Sequence, residues 1–180
     1  DAVVLSHAHL DHSGLLPRLF REGFAGPVHC TRATAELLDI MLRDAAGLYL
    51  RDLERDNRRA RRRGRAATAP VYDLADVETV LAACRGQGYG EDRPLGPAGT
   101  LRFHDAGHIL GSAITEIRFQ AADGPRCLVF SGDLGKHDSV LLREPARLAT
   151  ADLVLLESTY GDREHRSEER RVGKECFLLC

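Results

Sequence analysis

The feature that most restricts the fold of this chain is a cluster of histidines directly after a short apolar run. Residues 6–14 read SHAHLDHSG and follow the segment AVVL. Four candidate ligands occur there in the pattern H-x-H-x-D-H: His7, His9, Asp11 and His12. A loop at the end of a strand can turn such side chains toward one point. Nitrogen and oxygen ligands suit zinc, and pairs of such ions bind and activate a shared hydroxide. The spacing predicts a metal site, and the alternative is a polar loop whose histidines cluster by coincidence.

Two later turns offer further ligands beside segments with strand character. One reads GHILGS at 107–112 and contains His108, and the other reads SGDLG at 131–135 and contains Asp133. In type and order these three loops resemble the metallo-β-lactamase superfamily. The stretch ESTYGDR at 157–163 also resembles motif A of the β-CASP branch, whose members cut RNA or DNA phosphodiesters. The resemblance covers residues 1–165.

The resemblance implies a role for each metal ligand. One zinc ion would be held by three histidines: His7, His9 and His108. The second zinc ion would be held by Asp11 and His12, and Asp133 would bridge the two ions. A carboxylate suits the bridge because an anion between two dications offsets their repulsion. Asp11 could also contact the hydroxide. Carboxylates or backbone carbonyls should hold the second ring N–H of each histidine.

Several other polar residues are weaker candidates. By resemblance, Glu157 would be a catalytic residue that supports a general acid from a downstream histidine motif, which this chain lacks. The alternative for Glu157 is an exposed carboxylate at a strand end. Lys136 is a weak candidate for a phosphate contact. His104 is interpreted as a surface residue or one that supports a ligand, and His137 as a loop residue, with the substrate groove as the alternative. His165 either lies beside the site or is exposed, and His29 is assigned no function.

The segment 51–65 is strongly basic, with eight arginines against three acidic residues. One interpretation is a patch that follows the phosphates of a nucleic acid, which would make binding salt-dependent. Its strongest candidates are four arginines: Arg58, Arg59, Arg61 and Arg62. The alternative is a solvated helix end and linker. No aromatic residue follows Tyr49 in this stretch, so it offers no base-stacking platform.

Hydrophobic periodicity predicts helices and strands in alternation. The predicted helices are 13–24, 34–53 and 73–85, the last capped by Asp73, and the second carries a core stripe that includes Leu48. The predicted strands are one near Val28 and four at 101–103, 114–119, 126–130 and 153–156, with a hairpin turn at 123–125 and loop at 86–99. This is an α/β pattern, and composition alone does not separate a sandwich from a doubly wound sheet. The resemblance implies an αββα sandwich of the metallo-β-lactamase type.

Composition limits the class of protein. At 180 residues and 43% hydrophobic content the chain can bury one core. No apolar stretch approaches the roughly 20 residues that span a bilayer, and no signal peptide opens the chain. We therefore expect a soluble, cytoplasmic protein. Three cysteines are expected to be buried thiols of a reducing compartment rather than metal ligands: Cys30, Cys84 and Cys127.

Both ends of the chain suggest a fragment. The sequence begins at Asp1 inside an apparent strand, and the resemblance implies opening strands upstream and a β-CASP domain downstream. From Arg166 the sequence RSEERRVGKEC resembles a translated sequencing adapter, and the alternative is a charged, solvated tail. We therefore predict an incomplete metallo-β-lactamase domain at 1–165 and a non-native tail at 166–180.

These observations predict a two-zinc hydrolase that cleaves RNA, with this chain as an inactive fragment of it. Single-stranded RNA is the expected partner, by resemblance, and the sequence leaves open whether the parent protein forms a homodimer. Two alternatives remain. One is a small-molecule hydrolase of the same superfamily, such as a thioesterase or lactonase, and the other is a metal-less scaffold of an RNA-processing complex.

Overall fold

Two β-sheets form the centre of the structure. The computed structural model describes residues 1–136, 141–159 and 161. The strands are β1 (Val3–Val4), β2 (Val28–Thr31), β3 (Cys84–Gln87), β4 (Asp92–Pro94), β5 (Thr100–Asp105), β6 (Ala113–Ala121), β7 (Gly124–Phe130) and β8 (Leu153–Leu155). The helices are α1 (Leu10–Ser13), α2 (Leu16–Arg21), α3 (Arg32–Arg62) and α4 (Leu74–Ala83), with a 3-10 turn at Gly96–Ala98.

The strands divide into a small parallel sheet and a larger mixed sheet. In the small sheet β1, β2 and β3 lie in this order and run parallel. The larger sheet has the order β4, β5, β6, β7, β8 and is antiparallel as far as β7, after which β8 runs parallel to β7. Because β7 and β8 are parallel, their carboxyl ends meet at one edge. The loops that follow Phe130 and Leu155 are therefore neighbours.

Side-chain alternation along β1 separates two apolar cores. Val3 packs into a core built from α2, α3, α4 and β2, in which Leu38 and Leu42 are buried. Val4 points the other way and packs with Leu101 and Phe103 of β5. Successive strand residues face opposite sides of a sheet, so the small sheet has helices on one face and the large sheet on the other. The described residues therefore form three layers, one of helices and two of strands.

Helix α3 begins as predicted but runs much further. The Thr31 hydroxyl caps it by accepting a hydrogen bond from the Thr34 N–H. The predicted end at residue 53 was wrong, because the helix continues to Arg62 through the arginine-rich segment. Arginine is a good helix former, and ion pairs one turn apart, such as Arg58–Glu54, add support. The prediction that Leu48 belongs to the core was also wrong, since its side chain is 50% exposed.

The second half of α3 projects beyond the core. The last buried residue of the helix is Ala46, and residues 47–62 are exposed or half-buried. A returning segment, residues 64–73, lies along this part of the helix. Asn57 holds it with two hydrogen bonds to the backbone of Thr68, and the Tyr49 hydroxyl accepts one from the Val71 N–H. We call residues 47–73 the helical arm.

The prediction of one continuous helix at 13–24 was wrong. The structure has two short helices there, α1 and α2, separated by a turn at Gly14 and Leu15. Pro17 explains the break, since proline has no N–H to donate and its ring clashes with the preceding turn. It is tolerated in the first turn of α2, where that N–H would have no partner inside the helix. Asp11 and His12 therefore lie on their own short helix.

Helix α4 was predicted with the correct cap. Asp73 and Asp76 form a capping box, in which each carboxylate accepts a hydrogen bond from the other residue's backbone N–H. The predicted loop at 86–99 was wrong in part, because it contains the end of β3 and all of β4. A Cβ on Gly86 would lie 3.1 Å from the Cα of Arg32, so this glycine permits close contact between β3 and the start of α3.

The remaining strands follow the prediction. The hairpin of β6 and β7 is confirmed and is longer than expected, with Ala121 opposite Gly124 at its tip. β5 extends the predicted strand by residues at both ends, and β8 ends one residue earlier than predicted. Among the described residues, no helix has both the length and the apolar character needed to cross a bilayer.

The three cysteines are only partly as predicted. Cys30 is buried, whereas Cys84 and Cys127 are half-buried. A hydrogen bond with Cys84, together with burial, raises the pKa of the Cys30 thiol. None of the three contributes to the groups of metal-binding side chains found among the described residues.

Candidate metal centre

The first histidine loop is fixed by the start of α1. His7 is completely buried two residues after Leu5, and His9 is the residue that precedes the first turn of α1. The Ser13 hydroxyl donates to the carbonyl oxygens of Ala8 and His9, at 2.9 Å in each case. Ser13, at the end of α1, therefore holds the backbone of the loop that precedes this helix.

The second loop, 107–111, is fastened to α3. The Gly111 carbonyl accepts hydrogen bonds from the hydroxyls of Thr31 and Thr34, at 2.7 and 2.9 Å. Gly111 has φ +80°, and a Cβ there would lie 2.6 Å from the Thr34 nitrogen, so only glycine fits. On the inner side of the loop, the Ser112 hydroxyl accepts the backbone N–H of His108. These bonds hold His108 over the first loop.

The third loop follows β7 and carries Asp133. The Ser131 N–H donates to the Leu155 carbonyl, and the Glu157 N–H donates to the Ser131 hydroxyl. These two bonds tie the ends of β7 and β8 together. They place Asp133 and Glu157 on the same rim as the first loop.

A first group of side chains converges on one point. It consists of His7, His9, His108 and Asp133, whose potential ligand atoms all lie within 4.8 Å of one another. His9 Nδ1 is 3.1 Å from His7 Nε2 and 3.2 Å from His108 Nε2. The Oδ2 atom of Asp133 lies 3.7 Å from His7 Nε2 and 3.5 Å from His108 Nε2. Three ring nitrogens and one carboxylate oxygen thus face a common centre.

A second group shares Asp133 with the first. It consists of Asp11, His12 and Asp133. His12 Nε2 lies 3.2 Å from Asp133 Oδ1 and 3.7 Å from Asp11 Oδ2. Asp133 therefore directs Oδ2 at the first group and Oδ1 at the second. The six residues predicted from sequence as ligands come together in the same two sets that the resemblance implies.

The protonation of these histidines suits metal ligation. Burial and then the nearby positive charge of His12 lower the pKa of His7 to about 4, and burial also lowers the pKa of His108. Both rings are therefore neutral near pH 7 and can offer a nitrogen lone pair. The second ring nitrogen of His7 contacts the Ser6 hydroxyl at 3.1 Å, a hydroxyl where a carboxylate or carbonyl was expected. Nitrogen and oxygen donors at these spacings fit borderline divalent ions.

Glu157 lies beside this centre. Burial raises the pKa of Glu157, the backbone N–H of Leu134 opposes the rise, and a hydrogen bond with Asp133 adds to it. A groove of about 470 Å³ opens over both carboxylates and continues to Asp11 and His12. The carboxylate is thus half-buried at the site, and the alternative of an exposed strand-end carboxylate does not hold.

The other candidates lie elsewhere. His104 pairs with Glu116 at 2.6 Å and belongs to neither metal group, and His29 is buried in β2. Lys136 is exposed in the loop that follows Asp133. His137, His165 and the tail at 166–180 lie outside the described residues.

The four arginines are far from the metal centre. They occupy the end of α3, and 24 residues separate Thr34 from Arg58, which is about 36 Å along a helix. Arg58 and Arg59 pair with Glu54 and Asp56. Within the part of the chain that the structure describes, Arg61 and Arg62 have no carboxylate within ion-pair distance. The arginines form an exposed basic surface at the tip of the helical arm.

Sequence reasoning missed the hydroxyl groups that hold the loops. Ser6, Ser112 and Ser131 each contact a residue of the site, and Thr31 and Thr34 hold Gly111. A serine directly after GHILG was the available signal, since Ser side chains commonly accept nearby backbone N–H groups in turns. The threonines could not be linked to Gly111 without the fold, because 77 residues separate Thr34 from it.

Comparison with known proteins agrees with this geometry. A family model of the metallo-β-lactamase superfamily matches residues 1–164. Ribonuclease TTHA0252 of Thermus thermophilus is 46% identical over 180 residues, covering 99% of this chain and 36% of that protein. Transcription termination factor FttA of Methanococcus maripaludis is 34% identical, covering 99% of this chain and 26% of that protein. The chain thus spans about a third or less of the length of these curated relatives.

A solved structure shares the fold. The subclass B3 metallo-β-lactamase BJP-1 of Bradyrhizobium japonicum superposes with a TM-score of 0.51 at 16% identity, over 100% of this chain and 75% of that one. At this identity the likeness concerns the fold alone. The family match and the two-sheet architecture lead to the same result: this chain belongs to the metallo-β-lactamase superfamily.

Proposed function

We propose that the full-length parent of this chain is a two-zinc hydrolase that cleaves phosphodiester bonds of RNA, as a β-CASP ribonuclease of the cytoplasm. The observation that carries the proposal is Asp133, which presents one carboxylate oxygen to each of two groups of ligands. The relatives named ribonuclease and transcription termination factor support RNA as the substrate class.

The ligand groups define what each side chain does. His7, His9 and His108 would hold one ion, Asp11 and His12 would hold the other, and Asp133, which belongs to both groups of side chains, would serve both ions. When bound, two divalent ions lower the pKa of water and offset the charge that develops on a phosphate under attack. The bridging carboxylate is needed because two dications at close range repel each other strongly in a partly buried site.

The charge of the groove makes RNA binding dependent on cations. The described residues that line it include Asp11, Asp133 and Glu157 but no lysine or arginine. Without cations, such a groove repels a polyanion. Bound cations would offset this negative charge and would supply the positive charge needed to hold and polarise the scissile phosphate.

Glu157 is proposed as a positioning residue. Burial raises the pKa of its carboxyl group, and its backbone N–H donates a hydrogen bond to the Ser131 hydroxyl. From this position at the rim of the groove, its carboxyl group can orient a proton donor for the leaving oxygen. Lys136, exposed on the same loop as Asp133, is assigned a weak phosphate contact.

The test uses the purified full-length parent and single-stranded RNA. We expect two zinc ions per chain and cleavage of RNA, and we expect chelation to abolish cleavage and to weaken RNA binding. A variant with Asp44→Ala, an exposed aspartate on α3 outside the site, serves as a control that retains both properties. Thioester or lactone hydrolysis without RNA cleavage would overturn the assignment in favour of a small-molecule hydrolase. Failure to bind metal would favour a scaffold.

A further inference from the structure

A second cavity lies beside the metal centre and is not used by the proposed reaction. Its volume is about 250 Å³. Its walls come from the start of α3, the segment after β3 and the loop that carries His108, and they include Arg32, Tyr89, Ile109 and Leu110. None of the six metal-ligand residues lines it.

The cavity is within one or two residues of a metal ligand. Ile109 and Leu110 directly follow His108, and two residues of chain span at most about 7 Å. The loop cannot move freely, because Gly111 is fastened to Thr31 and Thr34. A group bound in the cavity is therefore held at a fixed position close to the metal centre.

The walls suit a flat, uncharged ring. Leu110 and Tyr89 both line the cavity, and they are 63% and 39% exposed. The Tyr89 hydroxyl donates to the Ser112 carbonyl at 2.8 Å, which fixes the ring relative to the His108 loop. Nucleobases stack on aromatic side chains irrespective of their sequence. The volume lies below the range of drug-sized pockets, as expected for a single ring system.

Charged groups at the mouth suit the backbone that carries such a ring. The Arg32 guanidinium is 67% exposed and pairs with Glu91, a surface ion pair of small energetic value. Arg32 is therefore available to a phosphate at little cost. Asp105 also lines the cavity, and its carboxylate accepts a hydrogen bond from the Gly107 N–H.

We propose that this cavity binds one nucleobase of the RNA substrate, on the nucleotide at the cleaved bond or on its neighbour. The inference rests on the proposed ribonuclease function and adds a base-binding subsite to it. The subsite accepts any base, because its walls offer stacking and apolar contact rather than a pattern of hydrogen bonds.

The test is a scan of abasic nucleotides through a single-stranded RNA with one cleavage site, using the full-length parent. Intact RNA is cleaved first, which establishes the proposed function separately. We expect one abasic position, at or next to the cleaved bond, to lower kcat/KM about tenfold or more. The same scan is then run on Leu110→Ala and Tyr89→Ala, and on Leu48→Ala, an exposed leucine on the helical arm, as the matched control.

Both cavity variants should lose the penalty at that position, while Leu48→Ala and Tyr89→Phe keep it. Zinc content is measured for each variant, so that a misfolded protein is recognised. If intact RNA is cleaved but every abasic RNA is cleaved equally well, the subsite is absent. A penalty that persists in Leu110→Ala and in a zinc-loaded Tyr89→Ala would place the base elsewhere. If intact RNA is not cleaved, the proposed function and the subsite both fail.

Discussion

The two ends of helix α3 differ in burial and in the contacts that they make. At its start, Thr31 and Thr34 are buried and hold the loop of His108. At its end, four arginines stand on the helical arm, about 36 Å away, where no residue is buried. The first end contributes exact placement of a ligand, and the second contributes charge. Removing a hydroxyl at the first end should therefore weaken metal binding at the candidate centre. Removing charge at the second end should change only the affinity for RNA and the salt dependence of that affinity.

The largest effect is expected at the metal centre. In the full-length parent, Asp133→Ala removes both oxygens that join the two ligand groups, and we expect cleavage of RNA to fall at least 100- to 1000-fold. Zinc content, measured by atomic absorption, should fall below two per chain. Asp44→Ala is the matched control and should behave as the unmodified protein. Cleavage within a few fold of normal in Asp133→Ala would show that the carboxylate does not join the ions.

A smaller effect is expected at the start of α3. Thr34→Val keeps the shape of the side chain but removes one of the two hydroxyls that hold the Gly111 carbonyl. We expect the zinc affinity to fall about tenfold, as for other groups that orient a ligand, and the free energy of unfolding to fall by about 1 kcal/mol. Thr79→Val removes a similar hydroxyl-to-carbonyl bond on α4 and should leave zinc affinity unchanged. Equal zinc affinities in the two variants would contradict the link between α3 and His108.

At the far end, the expected effect is on binding alone. Replacing Arg58, Arg59, Arg61 and Arg62 with Ala should weaken the binding of long single-stranded RNA and reduce the slope of log K against log salt by up to about 3. The rate of cleavage at saturating RNA should not change. The four Arg→Lys replacements keep the charge and serve as the control. A short RNA that reaches only the groove should bind the unmodified protein and the Ala variant equally. An unchanged salt slope for long RNA would contradict the role proposed for these arginines.

The smallest effect is expected in the arm itself. Asn57→Ala removes two hydrogen bonds that hold residues 64–73 along α3, at an exposed position. We expect a loss of about 1 kcal/mol or less in local stability, seen as faster hydrogen exchange in residues 47–62. Exchange in the first half of α3 should stay the same. A uniform increase along the whole helix would show that the two ends unfold as one unit.

The comparison also explains which features the sequence could predict. The candidate ligands His7, His9, Asp11 and His12 could be predicted because a short spacing beside a strand needs no long-range information. His108 and Asp133 were linked to them through the order of loops in a known family, rather than through periodicity. The hydroxyls of Thr31 and Thr34 were missed, since nothing local connects them to Gly111. Hydrogen-bond partners that are distant in sequence can be identified only from the three-dimensional arrangement of the two sheets.

The errors in secondary structure have a similar origin. The end of α3 was placed too early because its apolar stripe fades after Tyr49, while the helix persists on ion pairs and on the segment that Asn57 holds. The first half of β3 was assigned to the predicted helix 73–85, and its second half and all of β4 were assigned to a loop because glycine and proline cluster at 86–99. β3 is a strand because it pairs with β2 in register, and Gly86 is needed for contact with α3. In both cases tertiary contacts outweighed local propensity.

The helical arm also bears on how proteins of this kind can diversify. Because no residue at 47–62 is fully buried, most substitutions there cost little stability and leave the histidine loops in place. A lineage can therefore lengthen the arm, invert its charge or recruit it to a new partner while the candidate metal centre remains the same. The separation of the two ends lets the charge of the arm vary under selection independently of the geometry of the metal centre.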